Sequence, residues 1–102
     1  MIEKDIGVLT IKQIKETILP ILAKHNINEV YLFGSYARGE ANQNSDIDIY
    51  CNDGDIRTLI QQGILEDELK EATGKEIDII FFGTKMGEYF KQQLEEDKIK
   101  LC

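Results

Sequence analysis

Three aspartates are the residues of this chain whose type and spacing best suit catalysis. Asp46 and Asp48 stand two residues apart in the apolar segment SDIDIY, and Asp78 stands between isoleucines in EIDIIFF. Alternate side chains of a β-strand share a face, so Asp46 and Asp48 should point the same way. Carboxylates on one face repel each other unless a cation lies between them, and Mg²⁺ is a hard cation that prefers oxygen ligands. An isolated D-x-D is more often a solvated strand face, but the third strand-borne aspartate favours a magnesium site.

A glycine–serine pair precedes these aspartates. Gly34 and Ser35 follow the apolar run EVYLF, where a strand should give way to a short helix. Glycine lets a backbone approach a ligand closely, a serine hydroxyl is able to cap a helix, and free N–H groups at such a turn attract phosphate oxygens. Three carboxylates are enough to hold two metal ions, one at the attacking oxygen and one at the leaving phosphates. Together these residues predict a site for Mg²⁺ and a nucleoside triphosphate.

Helices and strands alternate along the chain, which indicates a sheet covered by helices. Thr10 and Gln13 form a capping-box pattern at the start of the first helix, and Gly74 suits the end of a later one. The predicted elements are a helix from Thr10 to about His25, a strand at Glu29–Phe33, a short helix at Ser35–Arg38, a strand at Asp46–Cys51, a helix capped by Asp55 and ending near Ala72, a strand at Glu76–Phe82 and a helix at Lys85–Lys98.

Helical spacing also predicts which apolar residues of the two later helices are buried. The expected buried side of the longer helix comprises Ile56, Leu59, Ile60, Ile64, Leu65 and Leu69. The expected buried stripe of the last helix comprises Met86, Tyr89, Phe90 and Leu94, with the Tyr89–Phe90 pair also able to contribute to a partner interface.

Composition limits the possible functions. The chain has 102 residues, a net charge of −7 and 42% hydrophobic residues, which fit one domain spanning residues 1–102. The acidic balance argues against direct nucleic-acid binding, since such proteins usually present a basic face. There is no apolar run long enough to cross a membrane and no signal-peptide pattern at Met1–Asp5, so we expect a cytoplasmic protein. Two cysteines, Cys51 and Cys102, suit a reducing compartment.

The motif itself resembles a known family. Gly34-Ser35, ten intervening residues and then Asp46-Ile47-Asp48 reproduce the G-S-x10-D-x-D signature of polymerase-beta-like nucleotidyltransferases, and GSYARG followed by SDIDI is similar to the minimal nucleotidyltransferases, or MNT proteins. The resemblance covers nearly the whole chain. It implies an α/β (α+β) fold with a small mixed sheet flanked by helices. It also implies that Gly34 and Ser35 hold nucleotide phosphates, that Asp46 and Asp48 bind magnesium, and that Asp78 is the third acid, which activates the acceptor hydroxyl.

Small MNT proteins resemble antitoxins paired with HEPN-domain ribonuclease toxins. The resemblance implies transfer of AMP from ATP to a tyrosine of such a toxin, with Mg²⁺ as cofactor. The alternative is an antitoxin that neutralises its partner by binding and occlusion, without catalysis. A transferase for a small molecule is a weaker possibility, because the chain has no room for a further acceptor-binding domain. Arg38, one turn past Ser35, is able either to contact a triphosphate or a partner's carboxylate, or to pair with Glu40 at the surface.

Overall fold

The computed structural model describes residues 7–102, so the predicted absence of a signal peptide at Met1–Asp5 concerns residues outside it. Within residues 7–102, four helices and four strands alternate in part. In chain order they are α1 (Ile11–Ala23), β1 (Val30–Phe33), α2 (Gly34–Arg38), β2 (Ile47–Cys51), α3 (Leu59–Thr73), β3 (Ile77–Phe81), α4 (Glu88–Asp97) and β4 (Ile99–Lys100).

The four strands form one mixed sheet in the order β3-β2-β1-β4. β1 pairs antiparallel with both β2 and β4, while β2 and β3 run parallel and are joined through α3. A parallel pair needs a crossover connection of this kind, whereas an antiparallel pair does not. The two-residue strand β4 was not predicted from the sequence, because a pair of residues is too short to show alternation.

Alternation along the strands places the main core on one face of the sheet. Ile47, Ile49 and Cys51 of β2 are fully buried there, while Asp48 and Tyr50 between them are only partly covered. Helices α1 and α3 pack over this face, contributing Ile14, Ile18, Leu22, Leu65 and Leu69. On the opposite face, Phe90 of α4 stacks edge-on against Phe33 with ring centroids 5.9 Å apart. The sheet therefore has an apolar face under α1 and α3 and a more polar face beside α4.

Local capping explains where the two long helices begin. The predicted capping box of Thr10 and Gln13 is present in α1. A second capping box is formed by Thr58 and Gln61, so α3 starts at Leu59. The prediction that Asp55 caps this helix is therefore wrong. Asp55 instead accepts a hydrogen bond from the Asn26 side chain at 2.7 Å. Gly74 ends α3 in the left-handed conformation, as predicted.

Two predictions of burial are only partly right. Ile56, Leu65 and Leu69 are buried, but Leu59, Ile60 and Ile64 are 85%, 77% and 56% exposed. In α4, Leu94 is buried whereas Tyr89 and Phe90 are 77% and 39% exposed, and Met86 precedes the helix. Periodicity gives the direction of an apolar stripe, but a domain of this size does not cover its full width. No helix in the described range 7–102 is both long and apolar enough to cross a membrane.

Candidate active site

Two of the three predicted aspartates meet on the polar face of the sheet. Asp48 and Asp78 are register partners on the parallel strands β2 and β3. Their side chains point away from the core, since Ile47 and Ile49 on either side of Asp48 are buried in it. Neighbouring strands lie about 4.8 Å apart, so the two carboxylates are close. Asp46 lies one residue before β2 begins and is exposed.

The surroundings of Asp48 disfavour its charged form. Burial, followed by the charges of Asp78 and Asp46, raises the pKa of Asp48 to about 6, against an opposing effect of Arg38. Each of these causes acts by making the charged form less favourable. The sequence-based expectation that these aspartates repel one another is thus consistent with the structure, and a cation among them would relieve the repulsion.

Gly34 brings the backbone against this carboxylate. Its φ of 75° lies in the left-handed region that favours glycine. A β-carbon built at Gly34 would lie 3.0 Å from Cγ and 3.3 Å from Cβ of Asp48, and closer still to one carboxylate oxygen. Any side chain here would therefore collide with Asp48. The glycine is needed both for the turn from β1 into α2 and for space beside the aspartate.

Ser35 lies inside α2 rather than before it. The helix begins at Gly34, its N-cap residue is Phe33, and no side chain caps it. The prediction that the Ser35 hydroxyl caps this helix is therefore wrong. Within residues 7–102 that hydroxyl makes no hydrogen bond, while the Ser35 carbonyl accepts one from the Glu40 backbone N–H at 2.9 Å. Ser35 adjoins the Gly34 turn, but nothing in the structure tests its expected role in phosphate binding.

Arg38 forms the surface pair considered for it, while its contact with a triphosphate or a partner stays a prediction. Its guanidinium donates to Glu40 at 3.0 Å, as the surface interpretation predicts, and also to Asp97 of α4 at 2.9 Å. Hydrogen bonds to Glu40 and Asp97 raise the pKa of Arg38. The residue also lines the same cleft as Asp48 and Asp78. Arg38 is thus held beside the carboxylates by acids at the rim of the cleft.

The cleft itself encloses about 230 Å³ between the polar face of the sheet and α4. Its lining comprises the polar side chains and the turn already described, Gly34, Arg38, Asp48, Asp78 and Asp97, together with Phe33, Phe90, Gln93 and Leu94. Its donor chemistry suits a hard cation, because the side chains that face it on β2 and β3 offer carboxylate oxygens. Among the described residues, however, no three His, Cys, Asp or Glu side chains lie close enough together to hold a metal ion. The oxygen donors fit magnesium, with Asp48 and Asp78 as the assembled pair.

Lys75 is a supporting residue that sequence reasoning missed. This lysine is only 9% exposed, and its ammonium donates to the carbonyl of Gln43 at 2.7 Å and to that of Gly7. Gln43 belongs to the loop that leads from α2 to Asp46, so Lys75 fixes this loop to the segment before α1. A single lysine next to a helix-ending glycine carries no sequence signal for such a contact, because both acceptors are backbone atoms distant along the chain.

Comparison with known proteins bears on this site. Residues 16–102 match the family described as "Polymerase beta, Nucleotidyltransferase". The chain belongs to this family. The predicted family and fold are therefore confirmed, as is the prediction that the chain is an enzyme of the nucleotidyltransferase class.

Individual relatives cover most of the chain. It is 41% identical over 76 residues to "Putative protein adenylyltransferase MJ0435" of Methanocaldococcus jannaschii, covering 74% of this chain and 82% of that protein. It is 34% identical over 79 residues to "Protein adenylyltransferase MntA" of Thermococcus cleftensis, covering 72% and 79%. A solved structure described as a toxin–antitoxin with AMP-PNP superposes with a TM-score of 0.73 at 27% identity, covering 86% of this chain and 72% of that one.

Proposed function

We propose that this chain is the antitoxin of a toxin–antitoxin pair, transferring AMP from ATP to a tyrosine of a HEPN ribonuclease toxin in a Mg²⁺-dependent reaction. A single domain spanning residues 1–102 would carry the site. The observation that carries the proposal is the facing pair of Asp48 and Asp78 beside the Gly34 turn. Relatives named protein adenylyltransferases, and similarity to a toxin–antitoxin structure with AMP-PNP, support the choice of donor and partner.

The proposed roles follow the positions of the residues. Asp46 and Asp48 would hold magnesium, with Asp78 completing a set able to serve two ions, while Gly34, Ser35 and Arg38 would contact the phosphates. Bound magnesium would neutralise the charge of the triphosphate and of its pyrophosphate leaving group. Gly34 lets phosphate oxygens approach the backbone beside Asp48. Arg38 would exchange its hydrogen bonds with Glu40 and Asp97 for phosphate oxygens, since all are acceptors for a guanidinium.

Asp78 would take the proton of the acceptor. It lies on β3, an edge strand of the sheet, and is exposed, whereas Asp48 on the central strand β2 is half-buried. A tyrosine of a partner protein would approach Asp78 from the open side. The tyrosine oxygen would bond to the α-phosphorus as the bond to pyrophosphate breaks, and its proton would pass to the Asp78 carboxylate.

The test uses a HEPN-domain protein as partner, ATP and Mg²⁺, with intact mass of the partner as the readout. We expect the partner's mass to increase by one or more AMP groups. The increase should disappear with Asp46→Asn/Asp48→Asn and persist with Asp53→Asn, an equivalent change at an exposed turn residue outside the cleft. Unchanged transfer by the double variant would show that these aspartates do not bind the metal.

Neutralisation by occlusion is the second candidate. It is favoured by the net charge of −7, which suits a basic RNA-cleaving partner, and by Tyr89 and Phe90, exposed on α4 where Phe90 borders the cleft. Ribonuclease activity of the toxin, measured with the Asp46→Asn/Asp48→Asn variant and no ATP, separates the candidates. Full inhibition at equal concentrations would support occlusion, and full toxin activity would support catalysis.

A further inference from the structure

The outer side of α3 carries an apolar surface that the fold leaves uncovered. We call it the α3 stripe, and it consists of Ile60, Ile64 and Asp67 along the helix, with Leu59 and Gly63 beside them and Arg57 two residues before the helix begins. Leu59, Ile60 and Ile64 are 85%, 77% and 56% exposed. Scattered surface hydrophobics are ordinary, but three large exposed side chains within six residues of one helix are a concentration of the kind found at interfaces.

This patch does not belong to the candidate active site. Helix α3 packs with α1 over the apolar face of the sheet through Leu65 and Leu69. Asp48 and Asp78 point from the other face, where α4 borders the cleft. A molecule bound to the outer side of α3 would therefore leave the cleft open.

The order of residues in the α3 stripe is complementary to itself. Arg57 and Asp67 are equally distant from position 62 along the chain, and so are Ile60 and Ile64. If a second α3 lies antiparallel with a two-fold axis passing near position 62, Ile60 of each copy faces Ile64 of the other. The same axis brings Arg57 of each copy towards Asp67 of the other. A contact of this type, in which one patch meets itself, is what a two-fold dimer requires.

Two further observations fit this arrangement. A β-carbon built at Gly63 would meet no atom within 4 Å, so the surface above the centre of the stripe is open to a close approach by another helix. The Arg57 guanidinium donates to the carbonyls of Gly54 and Ile56 at 2.6 and 3.1 Å, which anchors its charge at the start of α3 while further N–H groups remain available for a carboxylate.

We propose that two copies of this chain associate through antiparallel α3 helices, with Ile60 and Ile64 at the centre and reciprocal Arg57–Asp67 pairs at both ends. The mirrored order of charges favours a second copy, because two copies of this surface match each other. An unrelated protein would have to supply a matching surface of its own. A helix of 15 residues is about 22 Å long, so a contact confined to it lies at the small end of specific interfaces, and the dimer should be reversible. This proposal is independent of the transferase reaction.

The experiment is sedimentation velocity of the purified chain over about two orders of magnitude in concentration. The sedimentation coefficient should rise from the monomer value to the dimer value. Ile64→Gln should weaken association more than tenfold, because the side chain is buried twice in each dimer. Circular dichroism melting should show that this exposed substitution leaves the fold intact.

Charge reversal distinguishes self-association from other occupants. Asp67→Arg alone should weaken the dimer severalfold by placing like charges together, and adding Arg57→Glu should restore much of the lost affinity. Glu16→Arg, the same change on the exposed side of α1, should have no such effect. A chain that stays monomeric throughout, a dimer indifferent to Ile64→Gln, or a double variant no tighter than Asp67→Arg would overturn the proposal. A patch that binds only the partner toxin would also overturn it.

Discussion

Neutralising Asp48 should stabilise the metal-free protein. The pKa of this carboxyl rises from 3.8 to about 6, chiefly through burial and then through the charge of Asp78. A shift of about 2 units corresponds to about 3 kcal/mol between the two protonation states. Because Asp48 is only half-buried, solvent screening reduces the usable part to about 1–2 kcal/mol. For a domain of this size, Asp48→Asn should therefore raise Tm by roughly 5–10 °C at pH 7 in EDTA.

The same shift fixes the direction of the pH dependence. The pKa of Asp48 is raised in the folded state, so the protonated carboxyl stabilises the fold relative to the charged form. This stabilisation is fully present when the pH is below the unfolded-state pKa near 3.8, and it is lost as the pH rises through about 6. The difference in Tm between wild type and Asp48→Asn should therefore be small near pH 4 and should open between pH 4 and 6.

Thermal denaturation in EDTA across this pH range measures the effect. Asp53→Asn is the matched control, because it changes the same group at an exposed turn. A Tm difference between wild type and Asp48→Asn that stays constant from pH 4 to 8, or is matched by Asp53→Asn, would refute the view that the Asp48 carboxylate is strained.

Three other outcomes are expected. Mg²⁺-ATP at a hundredfold excess over Kd should stabilise wild type by about 2.7 kcal/mol and therefore raise its Tm in differential scanning fluorimetry. It should leave the Tm of Asp48→Asn unchanged. Gly39→Ala should lower the free energy of unfolding in urea by about 1–2 kcal/mol, because Gly39 has a φ of 75° but no atom near a β-carbon. Gly34→Ala should lower it by at least about 1 kcal/mol more, because its β-carbon would also collide with Asp48. Equal losses would contradict this. Lys75→Met should cost about 1–3 kcal/mol for each carbonyl left without a donor and should reduce AMP transfer, whereas the exposed Lys12→Met should do neither.

Local chemistry made much of the site predictable from sequence. The turn at Gly34 and the alternation around Asp48 depend on residues within a few positions of one another, and the structure agrees with both. The pairing of Asp48 with Asp78 could not be derived in this way. It depends on the parallel register of β2 and β3, which are joined through α3, and the alternation in each strand is compatible with more than one register.

The errors in predicted burial have a common physical origin in the size of the domain. Leu59, Ile60 and Tyr89 all occupy positions that helical periodicity assigns to an apolar side, yet all are largely exposed. A helix buries only the part of its apolar stripe that the sheet is wide enough to cover, and here four short strands provide that surface. Apolar residues beyond that width remain available for contacts with other chains.

The difference in burial between Asp48 and Asp78 indicates from which side the nucleotide and the acceptor would bind. Asp48 on the central strand β2 is half-buried against Gly34, and Asp78 on the edge strand β3 is exposed. Phosphate oxygens would approach the backbone at Gly34. The nucleotide would therefore occupy the enclosed side and the acceptor would approach from the open side. The proposed acceptor, a tyrosine held by another protein, would need this arrangement, because it would have to reach the α-phosphorus without entering the cleft fully. Exposed Tyr89, on the helix that borders the cleft, extends the surface that such a partner would contact.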